Sequence, residues 1–548
     1  DMCDVEFTVE QGRLHVLQCR VGKRTGVAAL RIATDLVDDS DIALSRAEAV
    51  ARITPDHLHQ VLHAGFEDGG GTEITRGLAA SPGAAVGRVY LTTEAAIDAA
   101  DRGEPVILVR RETSPDDVAA MALAEGVLTS RGGLVSHAAI VARGWGIPCV
   151  CGADEIRIAD DHFAVGDVVV SEGDTISIDG STGAVVLGGR GLVEAVVPDE
   201  LDTVLGWADE IAAGSLVVRA NADTADDART ARSAGAVGIG LCRTEHMFLS
   251  PERLPLVRAM ILAEALDRLA AAQQADFEEI LEAMDGLPVT VRLLDPPLHE
   301  FLPDIEELVV AEARGDLDDE ARELLRSARY WAEVNPMMGT RGVRLAHLRP
   351  GLYRMQARAL FAAAEARRSA GGKPIVEVMI PLTVSGPELA SAREWVVEAA
   401  AGLGLEEVPV VGTMIETPRA ALLAGDLALH ADFFSIGSND LTQLTFGFSR
   451  DDVEGRFMDV YLSRGLLDHD PFEHLDDEGV GELVDLAVAR GRAARPGLPV
   501  GGCGEHAADP VSIRRLYAAG VDYLSCSPAR LPVARLAAAH AVLGAATG

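Results

Sequence analysis

The stretch TSRGGLVSHAAIVARGWGIP, residues 129–148, holds a single histidine, His137, between Gly132 and Gly133 on one side and an alanine-rich run on the other. Placed at the start of a helix, an imidazole meets unpaired backbone N–H groups and the positive end of the helix dipole, both of which favour a dianion. A reference pKa of about 6.5 leaves it largely neutral at pH 7, with a ring nitrogen able to attack phosphorus. The two glycines let backbone approach without a Cβ in the way. Spacing alone leaves two readings open: a residue that accepts a phosphoryl group, or a helix-terminal histidine making an ordinary capping bond.

A second group lies where apolar runs end abruptly in polar residues: Arg243, Arg292, Arg341, Glu416, Asn439, Asp440 and Cys503. Taken singly, each arginine suits a structural ion pair, each carboxylate a helix cap, and the cysteine a small buried residue. Taken together, two carboxylates and an asparagine are hard oxygen ligands suited to Mg²⁺. Three arginines would hold a phosphate or carboxylate through paired donors. Cys503 and His506 in CGEH also have zinc-like spacing, but no second Cys or His pair stands near them.

Those residues need elements to position them. Nine short runs recur from residue 216 to 548, each followed by a helical pattern: LVVRANAD, AVGIGLCRTEH, VTVRLLDPP, NPMMGTRG, IVEVMIPL, VPVVGTMIETP, DFFSIGSNDLTQ, LPVGGCGEH and VDYLSCSP. Strands alternating with helices imply a parallel sheet, and the size suits a (β/α)8 barrel with insertions, whose chemistry sits at the C-terminal strand ends. A barrel needs eight strands, so one run must be irregular, either NPMMG or the last. Upstream, residues 77–190 alternate strands and helices in a compact α/β domain. A helical linker over 25–76 ends in Gly69, Gly70 and Gly71, and a second linker covers 191–215. Residues 1–24 read as a hairpin with nothing before it to pair with, and with Asp1 as first residue this points to the end of a longer domain.

Composition narrows the partners. Lys and Arg total 48 against 85 Asp and Glu, a net charge of −37 that argues against nucleic acid or an anionic membrane. An anionic substrate would have to be held by locally concentrated arginines or a bound cation. No apolar run reaches the eighteen or so residues of a membrane span, and seven scattered cysteines argue against a disulfide framework and for a reducing cytoplasm.

The block around His137 resembles the phosphohistidine signature of the phosphoenolpyruvate-utilising enzymes. IGLCRTEHMF, VRLLDPPLHEF, GTMIETPRAAL, FFSIGSNDLTQLTFGFSRDD and GGCGEHAADP resemble their barrel blocks, collinearly through essentially the whole chain. DPPLHEF and TFGFSRDD resemble the dikinase branch rather than the water-dependent synthase or the sugar-transport phosphocarrier. The resemblance implies an α/β multidomain protein: the end of an ATP-grasp nucleotide-binding domain, a helical linker, a swivelling phosphohistidine domain and a TIM-like barrel for phosphoenolpyruvate and pyruvate. It implies a cycle in which ATP and phosphate react at a nucleotide domain, His137 carries the phosphoryl group, and pyruvate receives it. It further implies that Arg243, Arg292 and Arg341 bind the anion, Glu416 and Asp440 hold Mg²⁺, and Gly437, Ser438, Asn439 and Asp440 seat the substrate. Cys503 would exchange the methyl proton. Glu6, Gln18 and Arg20 would belong to the nucleotide site, whose other part lies outside this sequence, so that this chain supports only the phosphoenolpyruvate/pyruvate half-reaction. A homodimer through the barrel is implied as well.

Departures from the pattern are Val135, where the family often has a regulatory threonine, Thr340 in place of a histidine, Ser438 in GSND, and Ala507 and Ala508 in GEHAAD. Phosphorylation control at 135 is therefore not expected. The alternatives are a phosphocarrier that passes its phosphoryl group to another protein, for which no helical carrier-binding insertion is evident, and a non-catalytic partner module.

Overall fold

A computed structural model describes the chain except residues 1–2, 23, 43, 68–70, 115–116, 135, 160, 196, 249–252, 264–265, 334, 406, 455–456 and 548. Val135, Gly69 and Gly70 thus lie outside the described residues. The chain divides into two compact units. The first is Asp1–Arg111, Asp116–Ser130 and Ile147–Glu210; the second is Glu112–Pro115, Arg131–Gly146 and Ile211–Gly548.

The first unit opens with an antiparallel hairpin, Cys3–Glu10 paired with Arg13–Val21, every residue of which is exposed. Three helices follow, Gly26–Asp38, Arg46–Arg52 and Pro55–Leu62, each begun by a Thr or Ser whose side chain caps the first turn. The two expected linkers meet: Gly65–Phe66 pairs with Leu192–Val193, a ladder too short to carry a periodic signal in sequence. Thr72–Arg76, inside the expected helical linker, is instead the edge strand of an eight-stranded mixed sheet, paired with Ala184–Leu187. Only Ile74 and Thr75 of it are shielded from solvent, which is too little apolar alternation to announce a strand. The sheet's core is Val89, Ile107, Val109, Leu128, Val150, Ile176, Ile178 and Val185, contributed by the runs the sequence marks as strands. A separate three-stranded sheet, Arg157–Ile158, His162–Val165 and Val168–Ser171, has no clear mark in sequence.

The second unit is a closed eight-stranded parallel barrel. Its strands in order are Val217–Asn221, Ile239–Arg243, Pro288–Arg292, Ile375–Ile380, Val410–Ile415, Phe434–Gly437, Val500–Cys503 and Tyr523–Cys526, and the eighth closes on the first with Arg219 opposite Ser525. NPMMG is the irregular ninth run: among its described residues, 335–340 form turns and bends. Strands such as Phe434–Gly437 and Tyr523–Cys526 are buried along their whole length, as parallel strands covered by helices must be. Ile239, Val291, Val378, Val411, Ile436, Val500 and Leu524 bring the strands into one continuous apolar core with the surrounding helices.

Candidate active site

The C-terminal ends of the barrel strands open into a cavity of about 400 Å³. Arg243, Arg292, Arg341, Glu416, Gly437, Ser438, Asn439, Asp440 and Cys503 all line it. The barrel geometry accounts for this meeting. Arg243, Arg292 and Cys503 are the last residues of their strands, Glu416 follows the fifth strand by one residue, and Ser438–Asp440 open the helix Ser438–Phe446 after the sixth.

None of the three arginines is an isolated charge. Arg243 donates Nε and Nη2 to Asp223 Oδ2 at 3.0 and 2.7 Å, and Asp223 also takes His246 Nδ1 at 2.8 Å. Arg292 pairs with Glu245 and, through Nη1, with Asp295 Oδ2 at 3.1 Å. Arg341 grips Asp295 with Nε and Nη2 at 3.2 and 2.6 Å and reaches Asp440 Oδ1 with Nη1 at 3.1 Å. Burial opposes the charge on Arg292 and Arg341, yet their acidic neighbours outweigh it and hold both above the ordinary arginine value. Asp223 and Asp295 also stay ionised: burial works against them, and the guanidinium groups more than compensate. Buried guanidinium groups persist only with such partners, and each keeps donors for a ligand.

Asp223, Glu245 and Asp295 are thus charge partners of the three arginines that the reading of strand ends passed over. Their signal was available, since ANAD, CRTEH and LLDPP place an acid within three residues of the strand ends Asn221, Arg243 and Arg292.

Glu416 is built into the wall. Its Oε1 accepts the Leu382 N–H at 2.6 Å, and Leu382 holds a left-handed backbone at φ 57° to aim that N–H. Its Oε2 is buried without a hydrogen-bond partner. Burial, reinforced by Asp440 and Asp295 and opposed by Arg292 and Arg341, pushes the Glu416 carboxyl up to about 8. A Cβ on Gly437 would lie 2.8 Å from Glu416 Oε2, so glycine there keeps the carboxylate in place. Gly504, at φ +97°, does the same for Ser438 and Asn439, which a Cβ would meet at 2.5 and 2.8 Å. An orphaned buried oxygen beside a second carboxylate, in a cavity where acids crowd, fits a hard divalent cation, and Glu416 with Asp440 would hold it. Among the described residues no group of three or more His, Cys, Asp or Glu gathers as a metal cluster. The zinc alternative finds no support in His506, whose Nδ1 meets Ser438 Oγ at 2.8 Å and whose Nε2 meets the Pro471 carbonyl at 2.9 Å.

Cys503 closes the apolar side with Leu241, Met379, Met414 and Phe433. Burial pushes its thiol up to about 11, against the hydrogen bond from Ser435 Oγ at 3.7 Å. The thiol donates to the Ile436 carbonyl at 3.5 Å.

His137 begins the helix His137–Trp145, capped by Ser136, whose hydroxyl accepts the Ala139 N–H, and ended by Gly146 at φ 72°. The ring is partly buried, and its Nδ1 lies 2.9 Å from Thr113 Oγ1. Thr113 carried no sequence signal, because the contact joins a loop residue to the first residue of a helix 24 positions further on. On the hairpin, Glu6 stands opposite Gln18, and Arg20 stands opposite Asp4, so the three expected residues share one face; Arg20 Nε lies 3.3 Å from Asp4 Oδ2.

The family description "PEP-utilising enzyme, PEP-binding domain" matches residues 201–543, and "PEP-utilising enzyme, mobile domain" matches residues 102–183. The chain belongs to the PEP-utilising enzymes. Within that family it is similar to pyruvate, phosphate dikinase 1, chloroplastic, of Arabidopsis thaliana, 50% identical over 563 residues that cover 99% of this chain and 58% of the relative. It is similar also to pyruvate, phosphate dikinase 2 of Zea mays, 50% identical over 562 residues, covering 99% of this chain and 63% of the relative. This PEP-utilising enzyme therefore spans about three-fifths of the length of these curated relatives. Among solved structures, a Haloferax volcanii malate synthase in a pyruvate/acetyl-CoA ternary complex aligns with 59% of this chain and 68% of its own at 12% identity and a TM-score of 0.33. No helix among the described residues is long and apolar enough to cross a membrane.

Proposed function

We propose that this chain carries the phosphoenolpyruvate/pyruvate half of a pyruvate, phosphate dikinase cycle. The observation that carries the reading is the convergence of Arg243, Arg292, Arg341, Glu416, Gly437–Asp440 and Cys503 on one cavity at the barrel mouth. Phosphoryl transfer needs mainly positioning and charge neutralisation, and the arginines provide both. As the P–O bond of phosphoenolpyruvate breaks, a P–N bond forms to His137, and the remaining electrons sit on the enolate of pyruvate. In the tautomer whose Nδ1 donates to Thr113 Oγ1, 2.9 Å away, the attacking lone pair is on Nε2. Arg243 and Arg292 hold the phosphoryl oxygens and the growing enolate charge, and Asn439 with Arg341 keeps the carboxylate in register.

Cys503 then gives its proton to C3 and is left as thiolate. A thiol pushed up to about 11 is protonated at neutral pH, and the more basic enolate carbon takes its proton; in the opposite direction the thiolate removes the methyl proton. Mg²⁺, held by Glu416 and Asp440, would supply Lewis-acid stabilisation of the enolate charge.

The same reading assigns Glu6, Gln18 and Arg20 to a nucleotide site for ATP and phosphate completed by further chain, and the paired connectors Gly65–Phe66 and Leu192–Val193 to the joint on which a carrier turns. It keeps the five segments, with the edge strand Thr72–Arg76 passing from the second to the third: 1–24, 25–71, 72–190, 191–215 and 216–548, with a homodimer through the barrel and a reducing cytoplasm. The test is isotope exchange between labelled pyruvate and phosphoenolpyruvate with the purified chain. Expected is slow exchange that requires Mg²⁺ and disappears in His137→Ala; exchange that survives that substitution rejects the carrier.

A further inference from the structure

One carboxylate in the barrel unit serves neither the phosphoryl group nor the enolate in the reading above. Glu505 opens the short helical turn Glu505–Ala508 after the seventh strand. Its Oε2 accepts Arg530 Nη1 at 2.9 Å and lies 3.5 Å from Arg143 Nη2. Its backbone N–H donates to Asn439 Oδ1 at 3.1 Å, so the residue also fixes a side chain of the cavity wall. Arg143 stands on the helix His137–Trp145, which packs beside the turn Pro528–Arg530; a Cβ on Gly146 would lie 3.8 Å from that of Ala529. Both partners are mostly shielded, Arg143 at 16% and Glu505 at 21% side-chain exposure. Burial alone would neutralise the Glu505 carboxyl, but Arg530, Arg143 and Arg450 outweigh it and keep it ionised.

Arg143 is six residues beyond His137, about 9 Å along the helix axis. A grip at that end fixes the tilt of the helix without touching the imidazole. Arg530 has a different part. Its own bond to Glu505 Oε2, at 2.9 Å, would leave the shielded carboxylate a guanidinium partner on withdrawal of the helix.

We infer that Arg143 and Glu505 form a docking latch: their ion pair seats the histidine helix against the barrel, and the Glu505 N–H ties that seat to the placement of Asn439. The inference rests on the half-reaction proposed above and makes Arg143 a positioning residue, not a catalytic one. Two readouts separate the roles. Phosphorylation of His137 by ³²P-phosphoenolpyruvate in a single turnover requires seating; the affinity of the Mg²⁺-loaded protein for oxalate, a planar dianion of enolate shape, requires only the cavity.

In Arg143→Leu, phosphorylation is expected to slow about tenfold, the size of a shielded ion pair, while oxalate affinity stays within about twofold. Arg143→Lys should recover most of the rate. Arg143→Leu combined with Glu505→Gln should be no slower than the slower single variant, because the two changes remove one interaction. Wild-type phosphorylation in Arg143→Leu, or oxalate affinity falling in step with the rate, overturns the latch. If the unaltered protein takes no phosphoryl group from phosphoenolpyruvate, the half-reaction itself is wrong.

Discussion

The hairpin at residues 3–21 and the barrel mouth both bring together acids, arginines and amides, yet they are opposite environments. Arg20 meets Asp4 at 3.3 Å with both side chains more than half exposed. Arg341 meets Asp295 at 2.6 Å with side-chain exposures of 12% and 3%. In water the first pair gains little from Coulomb attraction, whereas in the barrel each charge is held by geometry it cannot leave without stranding its partner. Residue types do not make a site; walls do. The barrel has walls because eight strands end on one rim. The hairpin by itself has two strands and no core.

Substitutions can break this contrast. Arg341→Met leaves Asp440 without its guanidinium partner and Asp295 with Arg292 alone. It should lower the pyruvate/phosphoenolpyruvate exchange rate by about 100- to 1,000-fold and destabilise the barrel by about 3–5 kcal/mol, read by denaturant unfolding. Arg20→Met should leave the unfolding midpoint unchanged. Equal effects at the two sites would show that shielding is not what separates them.

Thiol chemistry sharpens the same point. Cys3 and Cys19 are exposed on the hairpin, whereas Cys503 is buried with its thiol pushed up to about 11. Iodoacetamide at pH 7 should label the hairpin cysteines first, followed by mass spectrometry. Because the reactive form is the thiolate, the Cys503 rate should climb about tenfold per pH unit and level off near 11. A plateau below pH 9 would show a thiol more solvated than the fold places it.

The smallest expected effect comes from one methyl group. Gly501→Ala would put a Cβ 2.1 Å from Tyr523 Cζ, a buried ring beneath Cys503, and should cost about 1–3 kcal/mol in stability. Gly12→Ala on the hairpin turn meets open space and is opposed only by its φ of +77°.

Much of this was legible in order. The apolar runs marked all eight barrel strands, and the residues at their ends marked the cavity, because parallel strands have to be apolar inside and can change character only where they emerge. The ninth run, NPMMG, read like a strand because two methionines and a proline are apolar, though it makes turns. The edge strand Thr72–Arg76 and the ladder Gly65–Phe66 escaped notice because two to five residues with one or two inward side chains do not build a period.

What the linear chain determined, then, was the inventory and its order: which strands exist, that their ends carry arginine, carboxylate and thiol, and that one histidine begins a helix. Tertiary structure decided the pairings: Asp295 shared by two arginines, Thr113 on His137, Glu505 between Arg143 and Arg530, and an oxygen of Glu416 left without a partner. The physical reason is range. Strand and helix patterns are set by neighbours a few residues apart, whereas a buried charge takes its state from whatever the closed barrel brings within a few ångströms, however distant in sequence.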